Sequence, residues 1–343
     1  MSDGRRTRVL VTGGSGFLAG HVILRLLADG YRVRTTVRSP NRAAEVRAAL
    51  RLPTAIADDI EFAVADLTAD SGWSAAVVGC DAVLHVASPF PARQPQDEDD
   101  VIVPAREGTS RVLRAATDAG IRRIVMTSSF AAVGYSPKPS GAAYDESDWT
   151  DPTAPNSPYV KSKALAERDA WDLAAANGIG LTVINPVGIF GPVLGTDVAA
   201  SVQIVRGLLN GSPPVLPNAS FALVDVRDVA DLHVMALTSP LAVGQRFLAA
   251  ADQPVTLPEI AEILRSRLGA AGRRVPRRTA PDWAIRAVAR VVPSLQELSG
   301  LLGEPKRIDA SKATEVLGWQ PRSVADTLLD TAESLLDGGF VRS

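Results

Sequence analysis

The segment at residues 8–20 constrains the fold of this chain more than any other. A short apolar run at residues 8–11 is followed by a turn with three glycines, Gly13, Gly14 and Gly16, and then by apolar residues at helical spacing. The pattern predicts a buried strand, a tight turn and a helix that begins at the turn. Free N–H groups and the positive end of the helix dipole suit a pyrophosphate there, and glycine lets the backbone approach it closely. We therefore expect a dinucleotide-binding turn rather than an ordinary strand-to-helix connection.

Strand patterns recur along the chain and alternate with helical ones. The predicted strands lie at residues 8–11, 32–37, 60–65, 82–87, 123–127, 181–185, 221–229 and 246–250. A helix is predicted at 99–119, and a loop rich in glycine, proline and serine at 134–158. Strands that alternate with helices through short connections form parallel sheets with helices on both faces. The predicted fold is α/β, a Rossmann-type doubly wound parallel sheet with a smaller, mostly helical substrate lobe.

The composition changes after Gly191, where helical patterns and proline-rich connectors begin. The predicted division gives residues 1–190 and a returning segment at about 221–250 to the dinucleotide-binding domain, and residues 191–220 and 251–343 to the substrate-binding lobe. Six arginines at 272–292 favour a solvated amphipathic helix and its lead-in. The alternative interpretation of this segment is a membrane-surface or nucleic-acid site.

Charge and cysteine content narrow the partners and the compartment. The chain has 36 Lys and Arg against 38 Asp and Glu among 343 residues, so its net charge of -2 gives no general attraction to nucleic acid or an anionic membrane. No apolar run approaches the roughly 18 residues of a membrane span, and the first strand begins too early to leave room for a signal peptide. The single cysteine, Cys80, excludes an intrachain disulfide, and the three scattered histidines do not indicate a metal site. We expect a cytoplasmic monomer or homodimer that acts on a small molecule.

The end of the second predicted strand is where a dinucleotide fold distinguishes its two nicotinamide cofactors. An acidic side chain there binds the ribose 2′-OH of NAD, whereas an arginine accommodates the 2′-phosphate of NADP. No Asp or Glu occurs between Gly30 and Glu45, while Arg34, Arg38 and Arg42 all do. This pattern favours NADP(H) over NAD(H). The alternative is that these arginines are solvated surface residues.

A second motif carries acid–base chemistry. Ser157 and Pro158 are typical of a helix start, and Tyr159 and Lys163 follow at positions i and i+4 of that helix, which places them on one face with Cβ atoms about 5–6 Å apart. A free phenol has a pKa of about 10, and a neighbouring ammonium group stabilises its ionised form. Such a pair is suited to general acid–base work on a carbonyl or an alcohol. Ser129, at the end of the fifth predicted strand, could bind the same oxygen.

Two further residues have a structural interpretation beside a functional one. Asp66, with the N–H of Leu67, follows the third predicted strand where it could meet the adenine edge, but alone it is typical of a turn. His85 lies inside an apolar strand pattern and is interpreted as a core histidine rather than a catalyst.

Taken together, these motifs resemble the extended short-chain dehydrogenase/reductase family, in its branch of dihydroflavonol reductases, cinnamoyl-CoA reductases and microbial aldehyde or ketone reductases. The segments that carry the resemblance are residues 12–19, 33–38, 65–67, 85–90, 127–129, 159–163, 185–187 and 317–322. The resemblance covers nearly the whole chain. It implies that Tyr159 donates a proton, that Lys163 binds the nicotinamide ribose and tunes Tyr159, that Ser129 polarises the carbonyl and that NADPH supplies hydride.

The resemblance also implies a set of cofactor contacts. They are Thr12, Gly13, Ser15, Gly16, Phe17, Leu18, Arg38, Arg42, Asp66, Leu67, Val86, Ala87, Ser88, Thr127, Tyr159, Lys163, Pro186 and Val187. Among them, the glycine turn would bind the pyrophosphate, Arg38 the 2′-phosphate, and Asp66 with Leu67 the adenine. The chain departs from the family pattern at Ala19, where a third glycine is common, and at Glu45, where the plant enzymes tend to have a second cation that Arg42 could replace.

A third departure bears on the substrate. Gly134 replaces an asparagine with which the plant flavonoid enzymes hold the polyphenol. The pocket expected from the resemblance is lined by Phe90, Phe130, Gly134, Val187 and Leu194, which suggests small aromatic or aliphatic carbonyls. The alternative functions are a nucleotide-sugar epimerase or dehydratase with tightly held NAD, a 3-hydroxysteroid-type dehydrogenase, and a redox-sensing module that binds the cofactor without chemistry.

Overall fold

The structure, a computed structural model, describes residues 6–89, 97–289, 302 and 305–342. The strands are β1 (Arg8–Val11), β2 (Arg32–Val37), β3 (Ile60–Val64), β4 (Ala82–His85), β5 (Arg123–Thr127), β6 (Gly180–Pro186), β7 (Gly188–Phe190), β8 (Val215–Pro217), β9 (Ser220–Phe221), β10 (Leu223–Asp225), β11 (Arg246–Ala249), β12 (Val255–Thr256) and β13 (Arg278–Ala280). The α-helices are α1 (Phe17–Ala28), α2 (Asn41–Leu50), α3 (Trp73–Val77), α4 (Asp99–Asp118), α5 (Pro158–Asn177), α6 (Ala200–Leu209), α7 (Val226–Thr238), α8 (Leu257–Leu268), α9 (Asp282–Ala289), α10 (Ser311–Leu317) and α11 (Val324–Asp337).

Seven parallel strands form the central sheet, in the order β11-β6-β5-β4-β1-β2-β3. The predicted α/β doubly wound class is confirmed. The strand order reverses between β1 and β4, and in open α/β sheets the crevice at such a reversal, outside the carboxyl ends of the strands, is where ligands bind. Strand β4 ends at His85, two residues earlier than predicted, because the N–H of Ala87 is taken by the Thr12 hydroxyl at 2.9 Å instead of a neighbouring strand.

Both faces of the sheet are covered by apolar helix faces. Val22, Ile23 and Leu26 of α1 are fully buried on one face, and Val112 and Leu113 of α4 are fully buried on the other. Leu26 follows Ile23 and Val22 by three and four residues, and Ala116, also fully buried, follows Leu113 and Val112 in the same way, so each set forms one stripe of its helix. Removal of these side chains from water stabilises the packing of α1 and α4 against the sheet.

The predicted strand at 221–229 is wrong in its second half. Strand β10 ends at Asp225, and α7 begins at Val226 because the Asp225 carboxylate caps the helix by accepting a hydrogen bond from the Arg227 N–H at 2.8 Å. The buried residues that follow recur at helical rather than alternating spacing. Helix α7 packs beside α1 on one face of the sheet.

The helices α6, α8 and α11 pack around a separate apolar cluster that includes Leu208, Leu264 and Leu328. In the arginine-rich segment at 272–292, a short 3-10 helix and β13 precede α9, so the predicted helix lies near its end. The division of the chain into two lobes stays a prediction. Among the described helices, none has the length and apolar character needed to cross a bilayer. The described residues also contain no cluster of three or more histidine, cysteine or acidic side chains that could hold a metal ion.

Candidate active site

The glycine turn between β1 and α1 has the geometry of an anion cradle. Gly13 has a φ of +75°, and a Cβ added to it would lie 2.9 Å from the Cβ of Ala87, so only glycine fits. The Gly16 N–H donates to the Gly13 carbonyl at 2.8 Å, which closes the turn. Gly16 is the N-cap of α1 and no described side chain caps the helix. The first N–H groups of α1 are therefore left for a ligand, and they suit the pyrophosphate of a dinucleotide.

Two threonines hold this turn from behind. Thr12 is fully buried; its hydroxyl accepts a hydrogen bond from the Ala87 N–H at 2.9 Å and bonds to His85 Nδ1 at 2.9 Å. The Thr36 hydroxyl accepts from the Gly13 N–H at 2.9 Å. Thr12 thus supports the site by fixing Ala87. His85 is 1% exposed, which confirms its interpretation as a core histidine. Burial, with a smaller contribution from the Lys163 charge, lowers the pKa of His85 to about 3.

The three arginines near the end of β2 differ in their interaction partners. The Arg34 guanidinium binds the Glu61 carboxylate at 2.7 Å and the Val78 carbonyl at 2.6 Å. Arg42 forms ion pairs with Asp197 at 3.0 Å and Glu45 at 3.3 Å. An anionic ligand would have to compete with these carboxylates for Arg42.

Arg38 differs from both neighbours. It is exposed, and within the described ranges it forms no ion pair. Asp66 accepts hydrogen bonds from the Thr68 N–H at 2.9 Å and from the Thr68 hydroxyl at 2.8 Å, which is the geometry of a turn residue. These bonds lower the pKa of Asp66, and the charge of Arg38 contributes to the shift. Arg38 and Asp66 therefore lie close enough to interact where β2 and β3 end.

Helix α5 presents the predicted acid–base pair. Ser157 caps the helix through a bond from the Val160 N–H to its Oγ at 3.4 Å, and Tyr159 and Lys163 follow within the first two turns. The ammonium of Lys163 lies 5.8 Å from the centre of the Tyr159 ring and donates to the Ser88 hydroxyl at 2.9 Å. Lys163 is 8% exposed. The structure thus brings the pair to the carboxyl end of β4, beside the crevice.

Ser129 is placed by a short 3-10 turn, Phe130–Ala132, that follows β5. Its hydroxyl oxygen accepts from the Ala131 N–H at 3.1 Å, which leaves the hydroxyl hydrogen available to donate elsewhere. Its carbonyl accepts from Asn185 Nδ2 at 3.1 Å. Both ends of this residue are therefore held, and its hydroxyl can polarise an acceptor oxygen.

Sequence reasoning missed a buried polar network behind Ser129, formed by Glu167 of α5, Asn185 of β6 and Arg246 of β11. Asn185 Nδ2 donates to Glu167 Oε2 at 2.7 Å, and Arg246 Nε donates to Glu167 Oε1 at 2.6 Å. Glu167 and Asn185 are fully buried and Arg246 is 7% exposed. The Arg246 guanidinium also lies 3.8 Å from the centre of the Trp149 ring. A possible signal was the position of Glu167, one turn after Lys163 on the same helix face.

The remaining predicted cofactor contacts lie where strands of the sheet end. They are Ser15, Phe17 and Leu18 after β1, Leu67 after β3, Val86 and Ala87 after β4, Thr127 at the end of β5, and Pro186 and Val187 at the end of β6. The Thr127 hydroxyl binds Nε2 of the buried His233 at 2.7 Å. His233 Nδ1 bonds to the Val229 carbonyl at 2.7 Å. Direct contact of these residues with a cofactor stays a prediction.

The predicted substrate residues divide into three groups. Phe130 packs with Val133 and Tyr144, and Val187 lies against this cluster. Gly134 is required by the Phe130 ring, because a Cβ on Gly134 would lie 2.1 Å from Phe130 Cζ. Leu194 packs beside α1 at the edge of the core cluster on that side of the sheet, and Val187 also lies against that cluster. Phe90 lies outside the described residues.

This protein has the features of nicotinamide dinucleotide-binding α/β proteins. They are a parallel sheet whose strand order reverses, a glycine turn whose helix has no side-chain cap, and a Tyr/Lys pair at the crevice. A profile of the NAD dependent epimerase/dehydratase family matches residues 9–249. The chain belongs to this family, which is the extended type of short-chain dehydrogenases/reductases. The predicted resemblance is confirmed.

The proteins to which this chain is similar include several reductases. The chain is 33% identical over 315 residues to cinnamoyl-CoA reductase CAD2 of Medicago truncatula, covering 90% of this chain and 95% of the relative. It is 34% identical over 280 residues to a putative anthocyanidin reductase of Ginkgo biloba, covering 77% of this chain and 81% of the relative. Among solved structures, it is similar to the yeast methylglyoxal/isovaleraldehyde reductase Gre2 complexed with NADPH, with a TM-score of 0.80 and 25% identity over 98% of this chain and 100% of that one.

Proposed function

We propose that this protein is an NADPH-dependent reductase that converts aldehydes or ketones to alcohols and that also runs in reverse as an alcohol dehydrogenase. The observation that carries the proposal is the Lys163 ammonium, which lies 5.8 Å from the centre of the Tyr159 ring and donates at 2.9 Å to Ser88, three residues after β4. These contacts place the acid–base pair beside the crevice in which the sheet would bind the cofactor. The reductases among the relatives support the same reaction class.

The chain's own groups divide the work of the reaction. NADPH supplies the hydride when it is bound. Tyr159 would donate its phenolic proton to the carbonyl oxygen of the substrate, and Ser129 would donate a hydrogen bond to the same oxygen. Lys163 uses one of its three N–H donors on Ser88, so two remain to bind a sugar hydroxyl and to stabilise the phenolate that forms.

The test of the proposal is NADPH consumption by the purified protein with aryl ketones, aldehydes and β-keto esters. We expect turnover of some of these compounds and formation of the corresponding alcohols. A protein that binds NADPH, measured by cofactor fluorescence, and consumes it with none of them would contradict the proposal. The cytoplasmic location and the monomeric or dimeric state are further expectations, and size-exclusion chromatography tests the latter.

Cofactor selection gives a separate prediction. We expect Arg38→Ala to raise the KM for NADPH roughly tenfold or more, because a charge-assisted bond to the 2′-phosphate is lost, while the KM for NADH stays within about twofold. The measurement is steady-state kinetics with both cofactors. The matched control is Arg122→Ala at the amino end of β5, where the side chain binds only the Asn177 carbonyl at 3.2 Å among the contacts given by the described chain. An unchanged cofactor preference in Arg38→Ala would show that another group selects NADPH.

A nucleotide-sugar epimerase or dehydratase is the second candidate, because the matching family profile carries that description. Such enzymes retain NAD through their reaction cycle, whereas a reductase exchanges its cofactor. Mass spectrometry of the denatured, purified protein distinguishes the two: co-purified NAD would favour the epimerase class. The exposed cation Arg38, in place of an acidic residue at the end of β2, favours the reductase.

A further inference from the structure

Lys306 reaches the substrate side of the candidate site from a distant part of the chain. Its ammonium donates to the Gly134 carbonyl at 2.6 Å and lies 3.6 Å from the centre of the Tyr135 ring. Backbone hydrogen bonds hold it there: the Tyr144 N–H donates to the Arg307 carbonyl at 2.9 Å, and a parallel bridge pairs Tyr144 with the residue after Arg307. The segment after residue 305 is thereby fixed to the loop that follows Ser129.

Tyr135 connects this lysine to the reaction centre. Burial raises the pKa of Tyr135, and an electrostatic interaction with Tyr159 adds to the rise, so the two phenols are near neighbours. The Tyr135 ring also packs on Phe130 with ring centres 6.4 Å apart, and Phe130 directly follows Ser129. Lys306 therefore lies one aromatic ring away from the proposed proton donor.

The charge of Lys306 has no acidic counterpart in the described part of the chain. The neighbouring cation Lys138 is neutralised by Asp148 at 2.5 Å, whereas Lys306 forms no ion pair there. Desolvation of the ammonium, which lies against the Tyr135 ring, lowers the pKa of Lys306 to about 8, so at pH 7 most molecules carry the ammonium form. Lys306 is an exposed residue, and its ammonium has no counter-ion among the described residues, so it is open to a charge-assisted bond with an anionic ligand.

We propose that Lys306 binds a carboxylate of the substrate, so that the preferred substrates are carbonyl compounds that also carry a carboxylate group. This inference rests on the proposed reductase function. A single lysine is a compact point charge that neutralises one negative charge, which fits a carboxylate better than a doubly charged phosphate. The lysine would fix the anionic end of the molecule and leave its carbonyl beside Tyr159 and Ser129.

The test compares 4-formylbenzoate with its methyl ester, two aldehydes that differ in one charge. We expect the wild-type enzyme to have the higher kcat/KM with the carboxylate. Lys306→Gln keeps a donor for the Gly134 carbonyl but loses the charge, and we expect it to lower kcat/KM for the carboxylate roughly tenfold or more through KM, with the ester within about twofold. Lys306→Arg should restore most of the preference. Arg307→Gln removes the same charge one residue away and should retain the preference.

Equal kcat/KM values for both aldehydes in the wild type, or an equal loss in Lys306→Gln and Arg307→Gln, would overturn the carboxylate role. Reduction of neither aldehyde would count against the reductase function itself. The role of Lys306 is then decided without turnover, by calorimetric titration of the NADP⁺-loaded protein with benzoate and with benzamide. Benzoate binding that weakens only in Lys306→Gln supports the assignment, and equal affinities in wild type and variant refute it.

Discussion

Tyr159→Phe is expected to lower kcat for carbonyl reduction by roughly 10²-fold or more while the dissociation constant for NADPH stays nearly unchanged. The substitution removes only the hydroxyl, which is the group proposed to protonate the carbonyl oxygen, and positioned proton transfer contributes about 10²–10⁴-fold to rates. The Lys163 bond to Ser88 and the N–H groups of the glycine turn do not involve that hydroxyl, so cofactor binding persists. Steady-state turnover and cofactor fluorescence measure the two quantities separately.

The control for this prediction is Tyr31→Phe, which removes a phenolic hydroxyl beyond the opposite end of α1, in a half-buried position. Its turnover should match that of the wild type. A Tyr159→Phe enzyme with full activity would assign the proton transfer to another group. A variant that loses NADPH affinity and turnover together would show that Tyr159 acts mainly in binding.

The parts of the site that could be predicted from sequence are those in which neighbours along the chain decide the structure. Residues 8–11 form a strand, Gly13 must turn with a positive φ, and Ser157 caps a helix, because each depends on local backbone chemistry. The spacing of Tyr159 and Lys163 is likewise a property of one helix. Such features need no knowledge of distant contacts.

The parts that could not be predicted depend on residues far apart in sequence. Arg34 is one of three basic residues near the end of β2, but its partners are Glu61, 27 residues away, and Val78, 44 residues away. Glu167 and Arg246 are 79 residues apart, and the sequence around each of them predicts an exposed charged residue. Lys306 reaches Gly134 across 172 residues. The fold brings these groups together, and no local pattern marks the pairing.

The buried polar network gives the second large expected effect. Arg246→Met should lower the free energy of unfolding by about 3–5 kcal/mol, because it leaves the Glu167 carboxylate fully buried without its counter-ion. The substitution also removes the hydrogen bonds from the Arg246 guanidinium to the carbonyls of Glu146 and Asp148, at 2.9 and 2.8 Å. The measurement is urea unfolding followed by tryptophan fluorescence and by circular dichroism.

Two control variants test whether the stability loss in Arg246→Met comes from the unpaired buried charge or from a general sensitivity to the loss of an ion pair. Arg106→Met breaks an arginine–carboxylate pair with Asp169 at 2.6 Å whose arginine is 45% exposed, and it should cost about 1 kcal/mol or less. The double variant Glu167→Leu with Arg246→Met removes both buried charges and should regain much of the lost stability. Turnover in that double variant should nevertheless stay below wild type, because Asn185 loses the carboxylate that orients its bond to the Ser129 carbonyl. Equal stabilities of Arg246→Met and Arg106→Met would contradict this account, and full activity in the double variant would show that Ser129 needs no support from the network.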